Sequence, residues 1–284
     1  MQFGINFLLW TDSPNDEKES AVLYENAKKI GYDLVELPVY TQPVNTMKNI
    51  GKILDDLNLD RTAVTTCAED ANLISPDAQI RRGGVDYLKA TLDRCAAAGC
   101  RILVGPLHSA IGCFSGRGPT DDEFKWGVEG MKQVAEYAEK VKVRLALEAI
   151  NRFECYFMTC AEQAAKFVAA VNHPFCGTMY DTFHANIEEQ NIQKAVDTLQ
   201  KTLIHVHISE NDRSTPGSGL IRWAENFDAL HRINYQGAFV IEAFSGSLPN
   251  IAAATKIWRR MFKDETQLVT DGLAFMKSEV AKRW

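Results

Sequence analysis

Short apolar, β-branched runs alternate with longer amphipathic stretches along the whole chain. The runs at Phe3–Leu8, Leu34–Val39, Thr62–Cys67, Arg101–Gly105, Arg144–Ala149, Gly177–Asp181, Leu203–Ile208 and Ala238–Ala243 predict eight strands. Between them apolar residues recur at helical spacing over Glu17–Ile30, Asp77–Ala98, Asp121–Val141, Ala161–Val171 and Ile192–Lys201. Gly31 and Gly99 stand where such helices would end in a left-handed residue. Eight βα units in 284 residues average about 35 residues each. The alternation predicts a parallel sheet, and units of that size fit one α/β domain over residues 1–284, a (β/α)8 TIM barrel, better than two doubly wound domains. No Pro/Ser/Gly-rich linker, low-complexity block or recognisable repeat interrupts the pattern.

Composition narrows the classes of function. The chain is 46% hydrophobic and 24% charged, an ordinary globular balance. Its 31 basic and 37 acidic residues leave a formal net charge of −6 and a pI near 5.6, which speaks against a nucleic-acid partner. No charge-free run approaches the roughly 18 apolar residues of a membrane span, so no membrane partner is expected. The first residues, MQFGINFLLWTDSPNDEKES, place the apolar run ahead of any basic residue, the reverse of a secretory signal, and read as a first strand. Seven cysteines with no CxxC pair fit neither a disulfide framework nor a cysteine zinc site; they point to a reducing cytoplasm and to small buried apolar roles.

Barrels of this kind carry their chemistry at the C-terminal ends of the strands. Glu36 ends the second run, His108 follows the fourth, and Glu148, Asp181, His207 and Glu242 end the fifth to eighth. The last four are spaced by 33, 26 and 35 residues, about one βα unit each, which aims three carboxylates and one imidazole into the same end of the barrel. Such carboxylates repel one another unless a cation is present, and this oxygen-rich set suits Mn²⁺, Mg²⁺ or Co²⁺ more than zinc. The competing reading is that each acid is separately salt-bridged. Glu154, in the loop after the fifth strand, and His184, three residues past Asp181, are expected to touch a ligand; alternatively Glu154 pairs with Arg152 and His184 caps a helix beginning near Ile187. Arg213, in HVHISENDRSTPGSG, can clamp a ligand oxygen or sit on a solvated turn. His205 points the same way as His207 but deeper, and reads as a supporting group rather than a ligand.

The segments LALEAINRFE, MYDTFHANIEE and HVHISENDRSTPGSG, the strand ending Val240-Ile241-Glu242, Trp10 and the GPLHS stretch together resemble the D-tagatose 3-epimerase and D-psicose (allulose) 3-epimerase family of xylose-isomerase-like barrels. The resemblance implies epimerisation of free ketoses at C3. It implies a divalent metal, Mn²⁺ first with Co²⁺ or Mg²⁺ as alternatives, held by Glu148, Asp181, His207 and Glu242. Glu154, His184 and Arg213 would then hold the O1 to O3 end of the sugar. Glu148 and Glu242, on non-adjacent strands, become the acid/base pair that removes and returns the C3 proton through an enediolate. Phe7 and Trp10 are expected on an apolar wall of the pocket. After GPLHS many family members carry an aromatic residue, whereas Ala110-Ile111-Gly112 follow here, which predicts a roomier far end. Relatives assemble as dimers or tetramers, so a homodimer or homotetramer is implied.

Three alternatives remain at this level. A phosphosugar 3-epimerase would use the loops Pro216-Gly217-Ser218-Gly219 and Phe244-Ser245-Gly246-Ser247, near which the sequence offers only Arg213 and Arg222 as cations. A silent sugar-binding barrel would have lost an acid/base residue, and a repair endonuclease would be richer in histidine than six. Trp258 and Phe262 read as part of the last long helical segment, in core or at an interface.

Overall fold

The computed structural model describes residues 1–14 and 17–284. Eight strands, β1 (Gln2–Asn6), β2 (Leu34–Pro38), β3 (Asp60–Val64), β4 (Ile102–Gly105), β5 (Arg144–Glu148), β6 (Cys176–Asp181), β7 (Leu203–Ile208) and β8 (Ala238–Ile241), form a closed barrel in sequence order. Every pairing is parallel, and β1 closes the ring against β8. Around it run α1 (Glu17–Ile30), α2 (Val44–Asp56), α3 (Ala78–Ala98), α4 (Asp121–Val141), α5 (Ala161–Val171), α6 (Thr182–Glu188), α7 (Ile192–Leu199), α8 (Trp223–Arg232), α9 (Pro249–Thr255) and α10 (Glu265–Ala281). The fold is the expected (β/α)8 TIM barrel.

Local chemistry explains the boundaries. The Asp77 side chain accepts from Gln79 N to open α3, and Gly99, at φ 76°, closes it. Thr120 and Glu123 form a reciprocal capping box at the start of α4, where Asp121 and Asp122 also complement the helix dipole. Gly105, at φ 125°, turns the chain off β4; a Cβ there would lie 2.2 Å from Thr65 O.

Strand periodicity divides the core. Residues such as Ile5, Val35, Leu37, Leu103, Leu145, Leu147, Val206, Ile208 and Ile241 face the helices and join the main apolar cluster. The opposite faces of the strands give Val64, Val104, Ala146 and Met179, packed with Leu8 and Phe244 inside the barrel. Because side chains alternate, Ala146 shares its face with Glu148 and Met179 with Asp181. Beneath the polar strand ends the barrel interior is therefore apolar on these strands, with buried His205 and Glu36 on the others.

Several expected boundaries move. The first strand ends at Asn6, whose Oδ1 accepts from Leu8 N at 2.9 Å and starts a 3-10 turn over Phe7–Leu9. The third run pairs only over Asp60–Val64, although Cys67 resumes contact in a bridge to Ala110. The eighth stops at Ile241, leaving Glu242 immediately beyond it with its N–H donating to Ile208 O. Trp258 and Phe262 are not on a long helix: they lie between α9 and α10, with Trp258 exposed and Phe262 packed at the edge of the core. Five of the seven cysteines are buried, whereas Cys113 and Cys160 are partly exposed. Among the described residues no helix is long and apolar enough to cross a membrane.

Candidate active site and metal centre

Parallel register aligns the ends of β5 to β8. Glu148 pairs with Met179, Asp181 with His207, and His207 with Val240, two residues before Glu242. One ligand atom from each of Glu148, Asp181, His207 and Glu242 lies within 4.8 Å of the other three, and all four residues are buried. The four residues singled out by spacing thus form one cluster, a candidate metal-binding site.

The donor set fits a divalent cation. Glu148 Oε1 and His207 Nδ1 are both buried without a hydrogen-bond partner, although Nδ1 lies 3.4 Å from Glu242 Oε1 and 3.6 Å from Asp181 Oδ2. Buried polar atoms are rarely left unsatisfied, and lone pairs converging on one point from hard oxygens and an imidazole describe a coordination site. The electrostatics agree. Burial, then the neighbouring Glu242 and Asp181 carboxylates, push Glu148 well above the usual carboxylate range. Burial would raise Asp181 as well, but the Arg213 guanidinium and the nearby His207 ring hold it well below that range.

Asp181 has a second task. Its Oδ1 accepts from Phe183 N at 2.6 Å and His184 N at 3.3 Å, capping α6, while Oδ2 faces the cluster. The helix after β6 therefore begins at Thr182, not near Ile187, and His184 sits in its first turn instead of capping it. Burial pushes His184 down to about 3, so the ring is neutral. Its Nδ1 accepts the Asn151 backbone N–H at 3.0 Å, which puts the single proton on Nε2, 3.6 Å from Glu148 Oε1. Arg213 Nη2 lies 3.2 Å from that Nε2; with a proton already there, the approach is a close contact between two donors.

Arg213 occupies a left-handed backbone position, φ 62°, and is buried. Its Nη1 donates to Glu242 Oε2 at 2.6 Å, Ser209 Oγ at 2.7 Å and Asp181 Oδ2 at 3.2 Å, and its guanidinium stacks 3.8 Å from the Phe183 ring. Glu154 is partly exposed and accepts from Asn151 Nδ2 at 2.8 Å. The alternative partner, Arg152, is bonded to Glu188 instead. Phe7 and Trp10 form an edge-on ring pair 5.1 Å apart; Phe7 is wholly buried on Tyr24, so Trp10 is the one with surface left to offer a ligand. His108 is buried, pushed down to about 4 by burial, and its Nε2–H donates to Glu148 O at 2.8 Å, steadying the end of β5.

The xylose isomerase-like TIM barrel family model matches residues 24–279. A D-psicose 3-epimerase of Agrobacterium fabrum is 32% identical over 91% of this chain and 90% of its own. The chain belongs to the ketose 3-epimerases of that family. It is an enzyme of the isomerase class. Among solved structures, the D-allulose 3-epimerase of a Methylomonas species, in complex with D-allulose, superposes with a TM-score of 0.91 at 27% identity, covering 100% of this chain and 97% of that one. The D-psicose 3-epimerase of Clostridium cellulolyticum H10, with D-tagatose, gives 0.90 at 28% identity and 99% coverage of both.

Asn6, Asn151 and Ser209 adjoin the candidate site and had no sequence signal as reacting groups. Asn6 Nδ2 reaches Glu36 Oε1 at 3.0 Å and Glu242 Oε1 at 3.4 Å. Asn151 ties Glu154 to His184. Ser209 Oγ donates to Glu242 O at 2.7 Å and accepts from Arg213.

Proposed function

We propose that the enzyme interconverts free ketoses epimeric at C3, of the D-fructose/D-psicose and D-tagatose/D-sorbose type, by deprotonation and reprotonation. The observation that carries this reading is the convergence of Glu148 and Glu242, from non-adjacent strand ends, on one buried donor cluster with Asp181 and His207. Glu148, Asp181, His207 and Glu242 would hold a divalent cation, Mn²⁺ by preference, and its Lewis acidity would make the proton at C3 easier to remove. One glutamate takes that proton and leaves a planar enediolate; the other returns a proton to the opposite face, which inverts C3. His184 Nε2–H and the Arg213 guanidinium face the same space and would stabilise the negative charge on the sugar oxygens. Glu154, held by Asn151, would bind a hydroxyl near C1. The buried setting strengthens each of these interactions by excluding water.

The same proposal covers residues 1–284 as one domain, a homodimer or homotetramer, and a cytoplasmic location. A panel of free ketohexoses and ketopentoses with added Mn²⁺ tests the chemistry: epimers at C3 are expected, and turnover of none of them contradicts it.

One observation favours a second reading, a ketose phosphate. A cavity of about 590 Å³ beside Phe244 is lined by Ser245, Gly246, Ser247, Arg259 and Arg260, so the cations near this loop are more than Arg213 and Arg222. Against it, Glu265 lines the same cavity and accepts from Ser245 Oγ at 2.5 Å. Turnover restricted to ketose phosphates would favour this reading over the first.

A further inference from the structure

Beneath the four candidate ligands lies a carboxylate the chemistry above does not use. Glu36, the middle residue of β2, is wholly buried. Its Oε1 is 2.7 Å from His207 Nε2 and 3.0 Å from Asn6 Nδ2; its Oε2 is 2.8 Å from Thr62 Oγ1 and 2.9 Å from His205 Nε2. Asn6 Nδ2 can only donate to Oε1 and Thr62 Oγ1 donates to Oε2, so the carboxylate is the acceptor in both bonds; the His205 ring lies against Oε2 without a hydrogen bond.

That arrangement decides which nitrogen of His207 faces the cluster. Because Asn6 Nδ2 donates to the same oxygen and Thr62 Oγ1 to the other, the carboxylate accepts, and the 2.7 Å hydrogen bond places a proton on Nε2. With Nε2 so committed, Nδ1 is the nitrogen turned toward Asp181 Oδ2 and Glu242 Oε1, and it is the buried atom left without a hydrogen bond. Asn6 links the two layers, since the amide that donates to Glu36 also approaches Glu242. Thr62 Oγ1 holds the other oxygen at 2.8 Å, which keeps the carboxylate turned toward His207.

We infer that Glu36 is a positioning residue that locks His207 with its proton on Nε2 and its Nδ1 lone pair presented to the metal. The inference rests on the four-residue metal site proposed above and deepens it. A carboxylate behind a ligating imidazole fixes the ring's orientation and raises its basicity, and loss of such a partner weakens metal binding 10 to 100-fold as a rough scale. Glu36→Gln replaces an acceptor surrounded by donors with a group that must direct an amide N–H at one of them. Turned toward His207, that N–H would favour the tautomer with the proton on Nδ1, which opposes a cation.

The test has two readouts besides turnover. In Glu36→Gln, Mn²⁺ titrated calorimetrically should bind about 10 to 100-fold more weakly than in wild type, while Glu36→Asp recovers part of the loss. A purely structural role would lower thermal stability yet leave Mn²⁺ affinity of the folded protein unchanged, and that result overturns the inference. The second readout needs no variant. Nitrogen-15 spectra of His207 in wild-type protein, without metal and with Mg²⁺, should show a proton on Nε2 in both states; a bare Nε2 with a protonated Nδ1 overturns the inference even if Glu36→Gln fails to fold. Absence of Mn²⁺ binding to wild type would instead count against the metal site, leaving the tautomer measurement to decide the role of Glu36.

Discussion

Glu148 and Glu242 are the residues on which turnover should depend most. Glu148→Gln and Glu242→Gln each remove a proton-transfer group, and kcat should fall by about 10² to 10⁴ with the circular dichroism spectrum unchanged. A variant keeping a tenth or more of wild-type kcat would remove that glutamate from the acid/base pair. These two, with Asp181 and His207, were legible because charge at the end of an apolar strand is costly unless something uses it. Asn6, Asn151 and Ser209 were not legible, since uncharged polar residues near loops carry no such anomaly. Only their distances in three dimensions connect them to Glu36, Glu154 and Arg213. Phe7 shows the opposite limit: an apolar residue after a strand reads equally as pocket wall or core, and here it is wholly buried on Tyr24.

Among the elements, α1, α4 and α5 were readable almost to the residue from their periodicity, whereas the last long helix, α10, starts only after Trp258 and Phe262. The short α6 was not, because seven residues give too little periodicity, and the residue that caps it, Asp181, is also a candidate ligand. The loop carrying Arg213 was visible only as polar sequence; its order comes from Glu210, wholly buried, which accepts from Asn211 N, Gly217 N, Ile221 N and Trp223 Nε1 at 2.9 to 3.1 Å. Glu210→Ala strands those donors and frees a backbone that holds Arg213 at positive φ. Stability should drop by about 2 kcal/mol or more and KM should rise, read by urea unfolding and steady-state kinetics. An unchanged KM would separate this loop from substrate binding. Gly105→Ala should be at least as damaging to stability, because its Cβ would collide with the Thr65 carbonyl.

Across the whole molecule, the mouth of the barrel gathers the candidate site and the opposite end contributes stability. At that far end Asp60 accepts from Gln2 Nε2 and Arg61 N and pairs with Arg101. Burial would raise its carboxyl, but these donors hold it below the usual range. Its contribution is therefore present above the unfolded value near pH 4 and fades as pH falls through the lower folded value. Asp60→Asn should cost about 1 kcal/mol at pH 7, allowing for solvent screening of a partly exposed group, with the difference from wild type vanishing in acid. At the mouth, saturating Mn²⁺ at about 100 times its dissociation constant should stabilise the fold by about 2.7 kcal/mol. The formal charge of −6 is then lowered in magnitude by two for each cation bound.

The most direct test of C3 epimerisation by proton transfer at a metal site is a single NMR experiment. Enzyme loaded with Mn²⁺ is incubated with D-tagatose or D-fructose in D₂O, with and without prior metal removal by EDTA, and the sugars are read after the protein and metal are removed. The C3 epimer should appear with deuterium at C3, and both should be lost on chelation and return with Mn²⁺. Epimer formed without deuterium at C3, or formed undiminished after exhaustive metal removal, would contradict the account.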